Sequence, residues 1–536
     1  MAYKGTVAKI PVGAAGLITD IAQTNTPSAA LVRATNCSFF NGYCEKEPGS
    51  RRWNSEALPS GIVALKDWWP TSEVQRLIAV TREGKVYRFR QFDTVSEITA
   101  VDDAPESLNG NNFVQLIAGG QEDAGMNRKL FIFTGANPVQ VISGDGTTRR
   151  DIANPPADWS GTDQPFMAIQ HRGALYAFGN KNDPHRVYKS DETNHENFTS
   201  TNAASFSVFP GEGERLVGGT VYRGRLWILK YPTGLYYLND EDQDQDNWYF
   251  VKSQETFGLV SPSGVVGFLD DFIVANQFRS LTSVSAAFQF GDIATADVFN
   301  ALKNKNFSID EISNTSQNEV QGVYYQQKQE VFFTFRGAAS DENNRICRIS
   351  FKSKDAPKVS WSDKDQANCL TLVKADNKVD KPYYGSNDGF IYEMDSENRW
   401  VGDDDEVQNA YAFDVLTPFI DFSEMNPALA DQMKNFDWVE LIYIPTGRFT
   451  LEMEVFIDGE FHNTLSFTVE GPSSLDAGKL NQIRTSGLAE RCATQDLDGS
   501  GRRIAFRLKN DVAGENVKII GIWIGFQVSG QEQKRN

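Results

Sequence analysis

Residues 496–501 carry an arrangement of oxygen-bearing side chains that could hold a metal ion. The run Asp496-Leu-Asp498-Gly-Ser500-Gly501 matches the first six positions of an EF-hand loop, with oxygen donors at positions one, three and five. An EF-hand loop also needs a carboxylate at position twelve, where this sequence has Arg507. The sequence therefore favours a glycine-rich hairpin turn, and a Ca²⁺ site formed by Asp496, Asp498 and Ser500 is the alternative.

A second group of acidic residues lies in the segment Asp240-Glu-Asp-Gln-Asp-Gln-Asp246. In an extended strand the side chains of Asp242, Asp244 and Asp246 would share one face and could hold a divalent cation. A charge run of this kind is also typical of a loop in solvent. We expect a solvated acidic loop, with metal binding as the alternative, and no other cofactor.

Residues for enzyme chemistry are sparse. The four histidines have neither HExxH nor His-x₃-His spacing, and no phosphate-binding glycine loop is present. Sialidases repeat the motif Ser-x-Asp-x-Gly-x-Thr-Trp, but Ser143–Thr148 and Ser386–Gly389 hold only fragments of it. The sequence therefore predicts that the protein is not an enzyme. A glycan-acting protein, which would need carboxylates gathered on one face, is an alternative.

Composition and charge exclude several classes of protein. The chain has 536 residues and a net charge of −19, whereas a sequence-reading nucleic-acid binder normally has a basic face. No apolar run approaches the roughly 20 residues of a membrane span. The first ten residues lack the apolar core of a signal peptide. We therefore expect a globular protein without a membrane span.

The elements that would position these residues follow a repeat. A short apolar strand recurs seven times, about every 51 residues, at Leu77–Val80, Leu130–Phe133, Leu175–Phe178, Leu226–Leu229, Phe272–Ala275, Val331–Thr334 and Tyr383–Tyr384. Another strand precedes each copy, at Ile62–Leu65, Phe113–Ile117, Phe166–Ile169, Arg215–Val221, Val265–Phe268, Glu319–Tyr325 and Leu370–Val373. Units of this length with three or four short strands are typical of β-propeller blades.

The sequence thus predicts an all-β fold with a β-propeller of about seven blades over residues 61–400. One or two large β-sandwiches are the alternative. Residues 1–60 are predicted to form an extended N-terminal arm, and helix-like spacing of apolar residues predicts a helical insertion near 291–313. Several strands that alternate apolar and polar residues predict a C-terminal β-sandwich over 401–536.

Short motifs resemble one family. They are Gly16-Leu-Ile-Thr-Asp20, Pro27-x-x-Ala-Leu31, Ala34-x-Asn36, Asn41-Gly-Tyr43, Glu47-Pro-Gly-Ser50, Tyr383–Asp395 and Gly501–Leu508. Together they resemble the tail-nozzle proteins of short-tailed bacteriophages, also called packaged-DNA stabilisation or tail accessory proteins. The resemblance extends over the architecture of the whole chain.

The resemblance implies a structural virion protein that has no catalytic residues. Six copies would form a ring below the portal and adaptor proteins, bear tail fibres, spikes or a needle, and continue the DNA channel. The protein would be made in the host bacterial cytoplasm and end in the virion tail. It would help to retain and then eject the genome without sequence-specific DNA contacts. A receptor-binding or glycan-acting propeller protein of the tail is the alternative.

Overall fold

The computed structural model describes most of the chain, and a set of segments lies outside the described residues. These segments are 1–4, 19–21, 24, 91–94, 102–103, 111–112, 121–127, 145, 211–213, 255, 269–270, 278–279, 286–318, 338, 341, 353–356, 375–378, 397–398, 404–406, 445–446, 470–490 and 530–536. The predicted helical insertion near 291–313 lies outside the described residues.

Seven groups of mainly antiparallel strands form the blades of a propeller. Blade 1 comprises Ile62–Trp68, Arg76–Thr81, Val86–Phe89 and Val95–Glu97, and blade 2 comprises Gln115–Gly119, Lys129–Phe133, Gln140–Ile142 and Thr148–Asp151 with Thr99–Ala100 added in parallel. Blade 3 comprises Met167–His171, Ala174–Phe178, Arg186–Lys189 and Ala204–Ser207, and blade 4 comprises Arg215–Tyr222, Arg225–Tyr231, Leu235–Asn239 and Tyr249–Gln254. The predicted all-β propeller is confirmed.

The remaining three blades are less regular. Blade 5 has the strands Val265–Phe268, Asp271–Ala275 and Leu281–Ser283, and blade 6 has Gln321–Tyr325, Glu330–Arg336, Asn343–Ser350 and Lys358–Ser362. Blade 7 joins Cys369–Lys374, Asp380–Gly385, Ile391–Ser396, Gly49–Arg52, Val401–Asp403 and Val407–Asn409. The second strand of each blade is strongly apolar because neighbouring blades cover both of its faces.

The ring closes through the first strand of each blade. Each first strand contacts the first strand of the next blade, and Cys369–Lys374 of blade 7 contacts Ile62–Trp68 of blade 1. Side-chain amides reinforce two of these seams: Gln115 exchanges hydrogen bonds of 2.9 and 2.7 Å with the Ala168 backbone, and Gln321 accepts one of 3.3 Å from Leu370 N. Each first strand is an edge of its own sheet, and contact with the neighbouring first strands protects that edge.

A β-sandwich follows the propeller. One of its sheets contains Cys37–Ser38, Cys44–Lys46, Thr6–Pro11, Lys518–Val528, Lys434–Tyr443 and Arg491–Gly501, and the other contains Arg33–Thr35, Phe413–Leu416, Ile504–Asn510, Phe449–Ile457 and Glu460–Val469. The inward side chains of both sheets share one apolar core. Two short 3₁₀ helices, Gln245–Asn247 and Pro427–Leu429, lie in loops.

The first 60 residues do not form a separate arm. They supply Thr6–Pro11 and two short strands to one sandwich sheet, Arg33–Thr35 to the other, and Gly49–Arg52 to blade 7. Arg33–Thr35 also pairs in parallel with Lys358–Ser362, so blade 6 and a sandwich sheet form one nine-stranded sheet. The N-terminal strands pair with edges that would otherwise be unpaired, and they join the two domains.

Candidate functional site

Several residues of the family-like motifs meet where the propeller joins the sandwich. We call this region the junction site and define it by Asn36, Glu47, Ser50, Lys328, Glu330, Arg348, Lys364, Asp365 and Asp395. Three of these residues come from the N-terminal segment and the others from blade 6, blade 7 and the turn between them. The site therefore exists only when the N-terminal segment is in place.

Asn36 ties the N-terminal segment to both domains. Its φ of 51° lies in the left-handed region, which asparagine tolerates better than most residues. Its Nδ2 donates hydrogen bonds of 2.6 Å to Asp363 Oδ1 and to the Ala412 carbonyl oxygen, and its Oδ1 accepts one of 2.9 Å from Asp363 N. One buried side chain thus holds the end of blade 6 against the start of a sandwich strand.

Arg348 is the centre of a buried ion cluster. Its Nη2 lies 2.8 Å from Glu330 Oε2, and its Nη1 lies 3.1 Å from Asp395 Oδ1 and 3.3 Å from Glu47 Oε2. All four side chains are at most 3% exposed. Lys328 Nζ adds a contact of 2.7 Å with Asp395 Oδ2. The guanidinium therefore links blade 6, blade 7 and the N-terminal segment.

A second cation extends the cluster toward blade 7. Lys364 Nζ lies 3.8 Å from Glu47 Oε2 and contacts the Asp365 carboxylate. Ser50 Oγ and Tyr384 OH donate hydrogen bonds to Asp365 Oδ1 at 2.6 and 3.1 Å. The connected group contains four carboxylates and three cations. One carboxylate thus lacks a matching positive charge.

Burial and charge act differently on these carboxylates. Burial raises the pKa of Glu47 to about 7, although Arg348 and Lys364 oppose the shift. Burial also disfavours the charged form of Asp395, but Arg348 and Lys328 outweigh it and hold the pKa of Asp395 well below its usual range. Burial raises the pKa of Glu330 as well. Glu47 therefore has a raised pKa that lies near neutral pH, whereas Asp395 stays charged there.

Gly49 lets the N-terminal strand enter blade 7. The strand Gly49–Arg52 lies between Ile391–Ser396 and Val401–Asp403, and it pairs with both. A Cβ at Gly49 would collide with the Trp400 carbonyl oxygen. The glycine in the motif Glu47-Pro-Gly-Ser50 is thus required by close backbone approach.

The ion cluster could not be predicted from the amino-acid sequence. The sequence does contain one kind of signal, a charged residue in or beside an apolar run. Arg348 lies within Ile346–Ile349, and Glu330 lies directly before Val331–Phe333. A charge in the middle of a strand that is buried on both faces requires a partner. The partners lie in other parts of the chain, so the sequence alone does not name them.

The predicted turn at 496–501 is wrong. Asp496, Asp498 and Ser500 lie within the strand Arg491–Gly501, which pairs with Lys434–Tyr443. Their side chains are exposed on alternate positions, and Ser500 Oγ donates a hydrogen bond of 2.8 Å to Asn435 Oδ1. An EF-hand loop curls its donors around one ion, whereas an extended strand sets alternate side chains in a row along one face. The three residues therefore do not form such a loop.

The acidic segment of blade 4 is a loop, but its aspartates do not share a strand face. Asp242 Oδ1 accepts a hydrogen bond of 2.9 Å from Asp244 N, and Asp244 Oδ1 accepts one of 3.1 Å from Asp246 N. The carboxylates thus stabilise successive turns before a 3₁₀ helix. Asp240 is instead buried and lies 2.7 Å from His171 Nε2, so it links blade 4 to blade 3.

No group of three or more His, Cys, Asp or Glu side chains among the described residues is arranged to hold a metal ion. Within the same part of the chain, every helix is too short or too polar to span a bilayer.

The comparisons with known proteins concern the fold. No protein-family model and no curated protein matches the sequence. Similar solved propellers include an exo-β-1,3-galactanase from Phanerochaete chrysosporium with galactose, at 9% identity over 90% of this chain and 100% of that one, with a TM-score of 0.29. YCF48 from Cyanidioschyzon merolae has 9% identity over 63% and 97%, with a TM-score of 0.37. BamB from Moraxella catarrhalis has 12% identity over 74% and 100%, with a TM-score of 0.34.

These comparisons correct one prediction. The sequence predicted that the protein is not an enzyme, and the prediction is wrong because glycoside hydrolases are among the similar propellers. A catalytic site is recognised by geometry, and its residues can come from distant parts of the chain, so a missing sequence motif does not exclude one. At 9% identity the likeness concerns the fold alone and assigns no activity to this chain.

Proposed function

We propose that the protein is a component of the tail of a short-tailed bacteriophage, where copies of it form a ring that continues the DNA channel. The observation that carries the proposal is the junction site. Asn36, Glu47 and Ser50, from motifs that resemble the tail-nozzle family, contact blade 6 and the turn that leads into blade 7. The family-like residues thus belong to one contiguous structural unit.

The architecture favours an assembly role. The nine-stranded sheet and the buried ion cluster join the propeller and sandwich at several points. A subunit joined in this way can transmit a load between partners above and below it without a hinge. We propose that it sits in a hexameric ring below the portal and adaptor proteins, and that it bears tail fibres, spikes or a needle.

Net charge supports a conduit for DNA. Each copy carries −19, so an assembled ring is strongly acidic. A negative wall repels phosphates over about 8–10 Å at physiological salt, which centres a duplex and lowers friction. Retention of DNA before infection would then need a physical gate, such as loops at the axis or a bound needle protein.

Single-particle electron microscopy and mass photometry of the full chain with its adaptor test the proposal. We expect closed rings, with six copies as the main species and a channel wall that is net negative. Only monomers in the presence of the adaptor would contradict ring formation. Tight DNA binding with a steep salt dependence, measured by filter binding, would contradict the repulsive channel.

A further inference from the structure

We propose that a cavity at the seam of blades 6 and 7 is a binding site for a neutral saccharide. This seam pocket has a volume of about 480 Å³, within the range typical of small-molecule sites. It lies beside the junction site and opens between the turn 363–366, the turn 386–389 and the segment 409–412. The inference does not depend on the proposed tail function.

Planar polar side chains form the rim of the seam pocket. Asp363 and Asp388 are exposed there, and so are the amide side chains of Gln366 and Asn409. Neither amide makes a side-chain hydrogen bond with another described residue. Carboxylates accept hydrogen bonds and amides both donate and accept, so this rim suits a ligand that presents several hydroxyl groups.

Aromatic side chains form the floor and hold the rim in place. The rings of Tyr384 and Tyr392 are stacked, with centroids 5.0 Å apart and an angle of 12° between their planes. Tyr392 OH donates a hydrogen bond of 2.7 Å to Asp388 Oδ2, and Phe390 N donates one of 2.9 Å to Asp388 Oδ1. The Asp388 carboxylate is thus fixed while its remaining lone pairs stay available to a ligand.

Charge selects against an anionic ligand. Two rim carboxylates, Asp363 and Asp388, repel anions. The Lys364 side chain also lines the pocket, but it is buried and contacts the Asp365 carboxylate, so it offers an anion no compensating charge. An organic cation lacks acceptors for the amide N–H donors of Gln366 and Asn409, whereas a neutral ligand rich in hydroxyl groups can use both the donors and the acceptors of the rim.

Saturation-transfer NMR and calorimetry on the purified full chain test this proposal. The probes are glucose, galactose, mannose, fucose, N-acetylglucosamine, maltose and lactose, with putrescine as an organic cation. We expect at least one sugar to bind, and Gln366→Ala and Asn409→Ala each to weaken binding by about two- to tenfold, the loss of one hydrogen bond. Asp388→Asn should weaken binding by about tenfold or more, because a hydrogen bond from a sugar hydroxyl to the charged Asp388 carboxylate is stronger than one to a neutral amide.

The matched control is Asp498→Asn, an exposed aspartate on the sandwich strand Arg491–Gly501. The Asp498→Asn variant should bind the sugar with the same affinity as the wild type. Failure of every sugar in the panel to bind would overturn the proposal, as would binding of putrescine alone. Sugar binding that is unchanged in Gln366→Ala, Asn409→Ala and Asp388→Asn would place the ligand elsewhere and would also overturn it.

Discussion

The carboxylate of Glu47 lies 3.3 Å from Nη1 of Arg348, and both side chains are at most 2% exposed. One residue belongs to the N-terminal segment and the other to the third strand of blade 6. An ion pair at this depth has little solvent to replace a lost partner. The docking of the N-terminal segment therefore depends on the charge balance inside the cluster.

Arg348→Met should destabilise the protein strongly. The substitution keeps much of the side-chain volume but leaves Glu47, Glu330 and Asp395 without their shared cation. Removing one partner of a buried ion pair costs about 3–5 kcal/mol. Urea unfolding should show this loss in the free energy of unfolding.

Arg345→Met on the same strand is the matched control. Arg345 is partly exposed and lies 3.9 Å from Asp363, so its removal should change the free energy of unfolding by less than about 1 kcal/mol. Equal effects of the two substitutions would mean that burial of the cluster does not govern stability.

Glu47→Gln should change how stability depends on pH. The pKa of Glu47 is raised from 4.5 to about 7 in the folded protein, mainly by burial, so the folded state binds the extra proton between these values. The contribution of Glu47 to the stability of the wild type therefore falls as pH rises from about 4.5 to 7, by an amount on the order of 3 kcal/mol. Glutamine removes this loss.

The measurement is the difference in free energy of unfolding between Glu47→Gln and wild type at several pH values. The stability of Glu47→Gln relative to wild type should rise as pH rises from about 4.5 to 7, and the difference should then level off. A difference that does not depend on pH would show that Glu47 keeps the same charge in the folded and unfolded states.

Two substitutions of Asn36 separate the energetic cost of backbone strain from that of lost hydrogen bonds. Asn36→Gly keeps the left-handed conformation but loses the bonds to Asp363 and Ala412, which should cost about 2–3 kcal/mol. Asn36→Ala loses the same bonds and adds about 1 kcal/mol for a φ of 51°. Thermal and urea unfolding should show that Asn36→Gly is more stable than Asn36→Ala. The reverse order would contradict a left-handed backbone conformation at Asn36.

The blades could be predicted from the sequence because their strands are local. Each second strand, such as Leu226–Leu229, is an apolar run bounded by turn residues, and the run lies inside Arg225–Tyr231. The pair Asp458-Gly459 is likewise a local hairpin-turn signal, and both residues adopt positive φ between two long strands. Local periodicity and turn chemistry thus suffice for the order of strands.

The junction site could not be predicted because its contacts join distant parts of the chain. Nothing near Glu47 in the sequence points to Arg348, and nothing near Arg33–Thr35 points to a parallel pairing with Lys358–Ser362. The prediction of a hairpin turn at 496–501 failed for a related reason. Its glycines favour a turn locally, but pairing with Lys434–Tyr443 keeps the segment extended.

Gly49→Ala should prevent the N-terminal strand from closing blade 7. The added Cβ meets the Trp400 carbonyl oxygen, which is backbone and cannot move aside as a flexible side chain would. We expect a loss of about 1–3 kcal/mol and faster hydrogen exchange in Gly49–Arg52 and Ile391–Ser396. Gly267→Ala in blade 5 is the control, because its nearest atom, Thr220 Oγ1, is 3.6 Å from the added Cβ. Exchange in Gly49–Arg52 that is equally slow in both variants and wild type would contradict this account of how the blade closes.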